Sequence, residues 1–123
     1  MMNTKDINIF ESIQSQLSAL YDEMSNFAKK SPNDAVNEFK LKYINNVLVK
    51  TNKFLNDKNK PFDDFELFNG EKLPTNSDVV LMLSQYLSCM EKVRADNIDC
   101  DFNGWFWKEN SDIRTAPPKK VKP

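Results

Sequence analysis

Phe10, Ile13, Leu17, Leu20, Met24 and Phe27 recur at steps of three, four, three, four and three. A helix, with about 3.6 residues per turn, lines such positions along one narrow side. The spacing predicts a helix from about Asp6 to Lys30, with Lys29 and Lys30 complementing the C-terminal end of its dipole. A stripe this narrow must be covered by another helix, from the same chain or from a second copy.

Ser31-Pro32-Asn33-Asp34 reads as a restart, with Ser as N-cap, Pro at the first helical position and Asp in the first turn. A second helix is expected from Pro32 to about Asn56, folding back on the first as an antiparallel hairpin. Val36, Phe39, Tyr43, Val47 and Phe54 are expected to face inward, with Ile44, Leu48 and Leu55 widening that face. Pro61 ends the run, and Phe62, Phe65 and Phe68 repeat at three-residue spacing, predicting a short helix from Pro61 to Phe68 that stops at Asn69-Gly70. A third long helix is expected from about Ser77 to Asp96, capped by Thr75, Asn76 or Ser77. Its apolar side is Val79, Val80, Met82, Leu83, Tyr86, Leu87, Met90 and Val93. Beyond Asn97 the period changes to two: Ile98 to Phe102 alternates, Asn103-Gly104 is a turn signal, and Trp105-Phe106-Trp107 follows.

These elements predict an all-α fold: an antiparallel bundle of three long helices and one short helix, with a small C-terminal β-hairpin or turn over its open end. Residues 1–110 form the expected single helical domain, and 111–123 a flexible, basic, Pro-rich tail. A chain of 123 residues with nine Phe, three Tyr and two Trp can build one packed core. There is no internal repeat.

Charge narrows the function classes. The net charge of −1 gives no global attraction to a polyanion. Residues 40–60 nevertheless hold six Lys against one Asp, and 61–78 hold five acids against one Lys. The expectation is that these regions pair with each other and otherwise face water. The lysines of the second helix, with Lys119, Lys120 and Lys122 of the tail, form no clustered basic face interleaved with aromatics, so nucleic acid is not an expected partner. With no His in the chain, Ser-His-Asp and Cys-His catalysis and His-ligated zinc are excluded. Cys89 and Cys100 lack metal or redox spacing and read as free thiols of a cytoplasmic protein. Neither a signal peptide nor an apolar run long enough to span a membrane is read from the sequence.

Asp99, Asp101 and Asn103 ahead of Gly104 resemble the first half of an EF-hand calcium loop, where alternate oxygen ligands precede the turning glycine. Phe106 fits that pattern too. The twelfth position is Asn110 instead of Glu, however, and the residues beyond it do not read as an exiting helix. Two acids flanking an ordinary turn account for the same letters. No catalytic residue and no cofactor is expected.

Two aromatic groups are the candidate partner-binding residues. Phe62, Phe65 and Phe68 lie in an acidic run, and Trp105 and Trp107 share one side of a strand. For both groups, burial against the core is the competing expectation. The expected function is a small, soluble, non-enzymatic protein-interaction or regulatory module, self-associating through the first helix or the Trp hairpin if it is a homodimer. The alternatives are a ligand-binding or enzymatic domain with a pocket lined by Tyr43, Tyr86 and Trp105, or calcium binding within residues 99–110.

Overall fold

In the computed structural model, which describes residues 2–118, helix α1 spans Thr4–Lys30. Asn3 and Asp6 start it with a capping box: each side chain accepts a hydrogen bond from the other's backbone N–H, at 2.9 and 3.1 Å. The stripe is where the spacing places it. Phe10, Ile13, Leu17 and Met24 are buried, Leu20 and Phe27 are partly so, and Ile7 extends the row by one turn.

Helix α3 (Asn76–Asp96) is the main cover for that stripe. Val79, Leu83, Tyr86, Leu87 and Met90 face it from across the core. The first turn of α3 is closed from two directions. Thr75 and Asp78 form its own capping box. The N–H groups of Asn76 and Ser77, which no helical carbonyl can reach, donate to Asp34 O at 2.9 Å and Pro32 O at 3.1 Å.

That contact explains one correction. Helix α2 runs Glu38–Asn59 and begins at an Asn37 cap, not at Pro32. The Ser-Pro-Asn-Asp segment is a turn followed by an extended stretch. Val36 N–H donates to Pro74 O at 2.8 Å and Ala35 bridges Thr75, so the carbonyls that would have opened a helix instead cap α3. Near its end α2 carries the one non-glycine residue with positive φ among the described residues, Asn56 (φ 57°).

A second correction concerns the rotation of α2. Ile44, Val47, Leu48 and Leu55 are buried as expected, but the row is completed by Leu41 and Thr51, so that Leu41, Ile44, Leu48, Thr51 and Leu55 run at steps of three and four. Phe39 and Tyr43, expected inside, lie outside that row at 72 % and 48 % exposure.

The predicted short helix at Pro61–Phe68 is absent; the segment is irregular turns and bends. Side chains of α2 bind its backbone and replace helical hydrogen bonds. Asn45 both donates to Phe68 O and accepts from Phe68 N–H, each at 3.0 Å, and Asn52 donates to Glu66 O at 2.9 Å. Phe65 and Phe68 pack edge to face at 5.0 Å over the core, with Phe65 next reaching Tyr86 at 6.3 Å.

The C-terminal part is a sheet, and the expected all-α class is thereby overturned. Strands β1 (Ile98–Asp101), β2 (Gly104–Trp107) and β3 (Asn110–Thr115) form an antiparallel meander in that order, so the chain is a mixed α/β fold of three helices and three strands. Strand β3 occupies residues assigned to the tail from sequence. Its alternation is weak because only Ile113 carries an apolar side chain to the core. The β1–β2 turn is Phe102-Asn103, one residue earlier than the Asn-Gly signal, with Gly104 as the first strand residue at φ 115°. Neither turn residue has positive φ, so this is not the primed two-residue turn that Asn-Gly favours. Lys119, Lys120 and Lys122 lie outside the described residues.

Trp107 joins the sheet to the helices. It is fully buried, with its ring against Phe10 at 5.1 Å and an interplanar angle of 72°. Trp107→Ala should lower the unfolding free energy in urea by about 3–5 kcal/mol, the usual cost of emptying a buried aromatic site. Phe102→Ala at the exposed turn should change it by less than about 0.5 kcal/mol.

Candidate functional site

Two charged residues of α3 lie in the interior. Glu91 and Arg94, one turn apart on α3, are both buried, and their side chains approach to 3.5 Å. Gln14 of α1 donates to Glu91 at 2.6 Å, and the Arg94 guanidinium lies 5.3 Å from the centre of the Phe10 ring. Gln14 Oε1 and Arg94 Nε have no hydrogen-bond partner among the described residues. Removing a charge from water is costly, so such a cluster adds little net stability, while the loss of one partner is strongly destabilising. Extending the apolar period of α3 beyond Met90 would have placed both residues inside. The single mutant Glu91→Ala leaves Arg94 buried without its carboxylate and should cost about 3–5 kcal/mol in urea denaturation. Replacing the pair together, Glu91→Leu with Arg94→Met, should recover most of that loss.

The sheet engages the residues of the calcium-like motif in other contacts. Asp101 takes a two-pronged contact from Arg114 of β3, at 2.9 and 3.2 Å, and also accepts the Asn103 N–H at 2.8 Å. Asp99 accepts from the adjacent Cys100 N–H at 2.8 Å. Asn110 sits on β3 opposite Trp107, so residues 99–110 form two strands and the start of a third. Among the described residues no group of three or more His, Cys, Asp or Glu is placed to hold a metal ion.

Hydrogen bonds from Arg114 hold the Asp101 carboxyl below the ordinary carboxylate range, aided by the Asn103 N–H. The folded state therefore binds its proton less readily than the unfolded chain. The resulting stabilisation is complete above the unfolded carboxylate pKa, about 3.9, and is lost as pH falls through the lower folded value. Asp101→Asn should lower the melting temperature at neutral pH, and the difference from the native chain should shrink steadily below about pH 4.

The aromatic candidates separate in the structure. Trp107 is enclosed, and Trp105, Phe65 and Phe68 are partly buried against the core, leaving Phe62 as the exposed member. The first helix seam is likewise covered within the chain and is not open to a second copy. Tyr86 is buried with its hydroxyl donating to Asn52 Oδ1 at 2.6 Å, and burial pushes its pKa up. Burial also raises the Cys89 thiol, which disfavours the reactive thiolate.

Among the described residues, Phe39, Tyr43 and Val49 of α2 are exposed large apolar side chains, as are Ile9 of α1, Phe62 and Leu67 of the connector, Leu81 of α3 and Phe102 of the β1–β2 turn. The exposed side of α2 carries Phe39, Lys42, Tyr43, Asn46, Val49, Lys50 and Lys53. The Phe39 and Tyr43 rings meet edge to face at 5.1 Å, so two large aromatics on successive turns cover each other instead of entering the core. Lys42 lies 5.7 Å from the Tyr43 ring centre. Lys50 and Lys53 also line an open cleft of about 1210 Å³ between the end of α2, the start of α1 and the end of α3. Lys5, Asn8 and Ser12 line it too; Ile13, Phe54 and Val93 contribute apolar surface, and Asp6 and Asp96 are also in the lining. Tyr43, Tyr86 and Trp105, expected to share a pocket, do not line this cleft.

The predicted pairing of basic helix with acidic connector is realised at one lysine. Lys60 contacts Glu66 at 3.2 Å and Asp57 at 3.4 Å, whereas Lys42, Lys50 and Lys53 enter no ion pair among the described residues. The surface is thus apolar and basic at once. No helix among the described residues is long and apolar enough to cross a membrane. No family model matches the chain, and neither a curated protein nor a solved structure matches it.

Proposed function

We propose that this chain is a non-enzymatic protein-interaction module whose docking surface is the outer side of α2, continued into the adjoining cleft. The observation that carries this reading is the exposed Phe39–Tyr43 pair. Burying a side chain of this size is worth about 1.5–3 kcal/mol, so a fold that leaves two of them outside on adjacent turns forgoes stability. Contiguous exposed apolar surface rimmed by polar residues marks association sites, and aromatic residues dominate the energetics of such sites. Asn46 and the lysines around the pair supply the polar rim. The free thiols Cys89 and Cys100 suit a reducing compartment such as the cytoplasm.

The test compares the tagged native chain with a Phe39→Ala/Tyr43→Ala double variant in capture from lysate of the source cell, after nuclease treatment. The native chain should retain a stoichiometric protein partner that the variant loses. The variant should unfold within about 1 kcal/mol of the native chain, because both side chains lie outside the core. Retention of the same proteins by both, or loss of every bound protein on nuclease treatment, contradicts the proposal.

A further inference from the structure

We infer that the occupant of this surface is an acidic amphipathic helix of a partner protein, lying lengthwise along α2; the inference rests on the docking reading above. Three observations select it. First, no acid occurs from Phe39 through Asn56, and the lysines at 42, 50 and 53 are exposed and outside every ion pair among the described residues. A partner must supply the carboxylates, and lysines at the rim of an apolar patch steer and orient an oppositely charged segment. Second, the exposed residues form one continuous side along α2. At 100° per residue (the 3.6-residue period), positions 39, 42, 43, 46, 49, 50 and 53 fall within roughly a third of the circumference. Phe39 and Tyr43, one turn apart, form the apolar end of that side, and Lys50 and Lys53 continue it toward the end of α2, so an occupant along it meets aromatic rings and then ammonium groups. Third, the strip from Phe39 to Lys53 is about 21 Å long at 1.5 Å per residue, which matches four turns of a second helix.

The same observations disfavour two other occupants. A single-stranded nucleic acid needs ring faces on which bases stack, but Phe39 and Tyr43 are locked edge to face at 62°. The acidic connector of a second copy does not fit as that occupant. That segment is not helical, is held to its own α2 by Asn45 and Asn52, and exposes just Phe62 and Leu67 among its large apolar side chains.

The experiment is selection of a displayed library of random 16-residue peptides on the immobilised full chain. Selected peptides are then measured by fluorescence anisotropy against the native chain, Phe39→Ala/Tyr43→Ala and Lys50→Glu/Lys53→Glu, each first shown by thermal melting to be folded. The expected peptides carry several Asp or Glu and apolar residues three and four apart, and become helical on binding. Their affinity should fall about tenfold or more in each double variant, and fall again as salt rises from about 50 to 500 mM. Peptides that lack acids yet still depend on Phe39 and Tyr43 overturn the acidic-helix inference and leave the docking surface standing. If no selected peptide depends on those aromatics, both readings fail. A labelled oligodeoxythymidine that binds with the same dependence overturns the inference in favour of nucleic acid. A concentration-dependent dimer in sedimentation, abolished by Phe39→Ala/Tyr43→Ala, overturns it in favour of a second copy.

Discussion

The ring of Phe10 is where every part of this fold meets. It touches Phe54 of α2 at 6.0 Å, Trp107 of β2 at 5.1 Å and the Arg94 guanidinium of α3 at 5.3 Å. A single side chain on α1 therefore sets the spacing of the other two helices and the seat of the sheet. Interiors pack at near-crystalline density, so a contact shared by four elements admits little adjustment in any of them. The buried Glu91–Arg94 pair lies beside this junction, and Gln14 of α1 donates to Glu91.

Helix α2 takes its role from what this arrangement leaves over. The α1 stripe is occupied chiefly by α3 and by Trp107, so α2 needs only the narrow row from Leu41 to Leu55 to complete the core. Its flank is covered by the connector through Asn45 and Asn52. The remaining side has neither a structural partner nor the purely polar composition of a solvated face. Phe39 and Tyr43 shelter each other there, among lysines that the acidic connector does not reach.

Much of the helical framework was legible because period and capping agree. The α1 stripe, the extent of α3 with its Thr75 cap and the change to strand period after Asn97 all rest on local chemistry. The misreadings came from long-range contacts that spacing does not encode. Pro32 did not start a helix because its carbonyl caps α3, forty-five residues away at Ser77. Pro61–Phe68 did not form a helix because α2 asparagines bind its backbone. Strand β3 was obscured by its polar sequence, which is tolerable in a strand whose partner β2 supplies the apolar side chains. The exposure of Phe39 and Tyr43 was missed for a different reason. The inner face read from the sequence included Phe39 and Tyr43 and left out Leu41 and Thr51, although Leu41, Ile44, Leu48, Thr51 and Leu55 recur at steps of three and four.

Photocrosslinking in the living source cell tests the central claim most directly. A benzophenone amino acid replaces Asn46 at the middle of the outer α2 face or, as a control, Gln16 on the exposed side of α1. The account predicts a discrete protein adduct from position 46 that is absent from position 16. The same adducts from both positions, none from either, or an adduct removed by nuclease would contradict it.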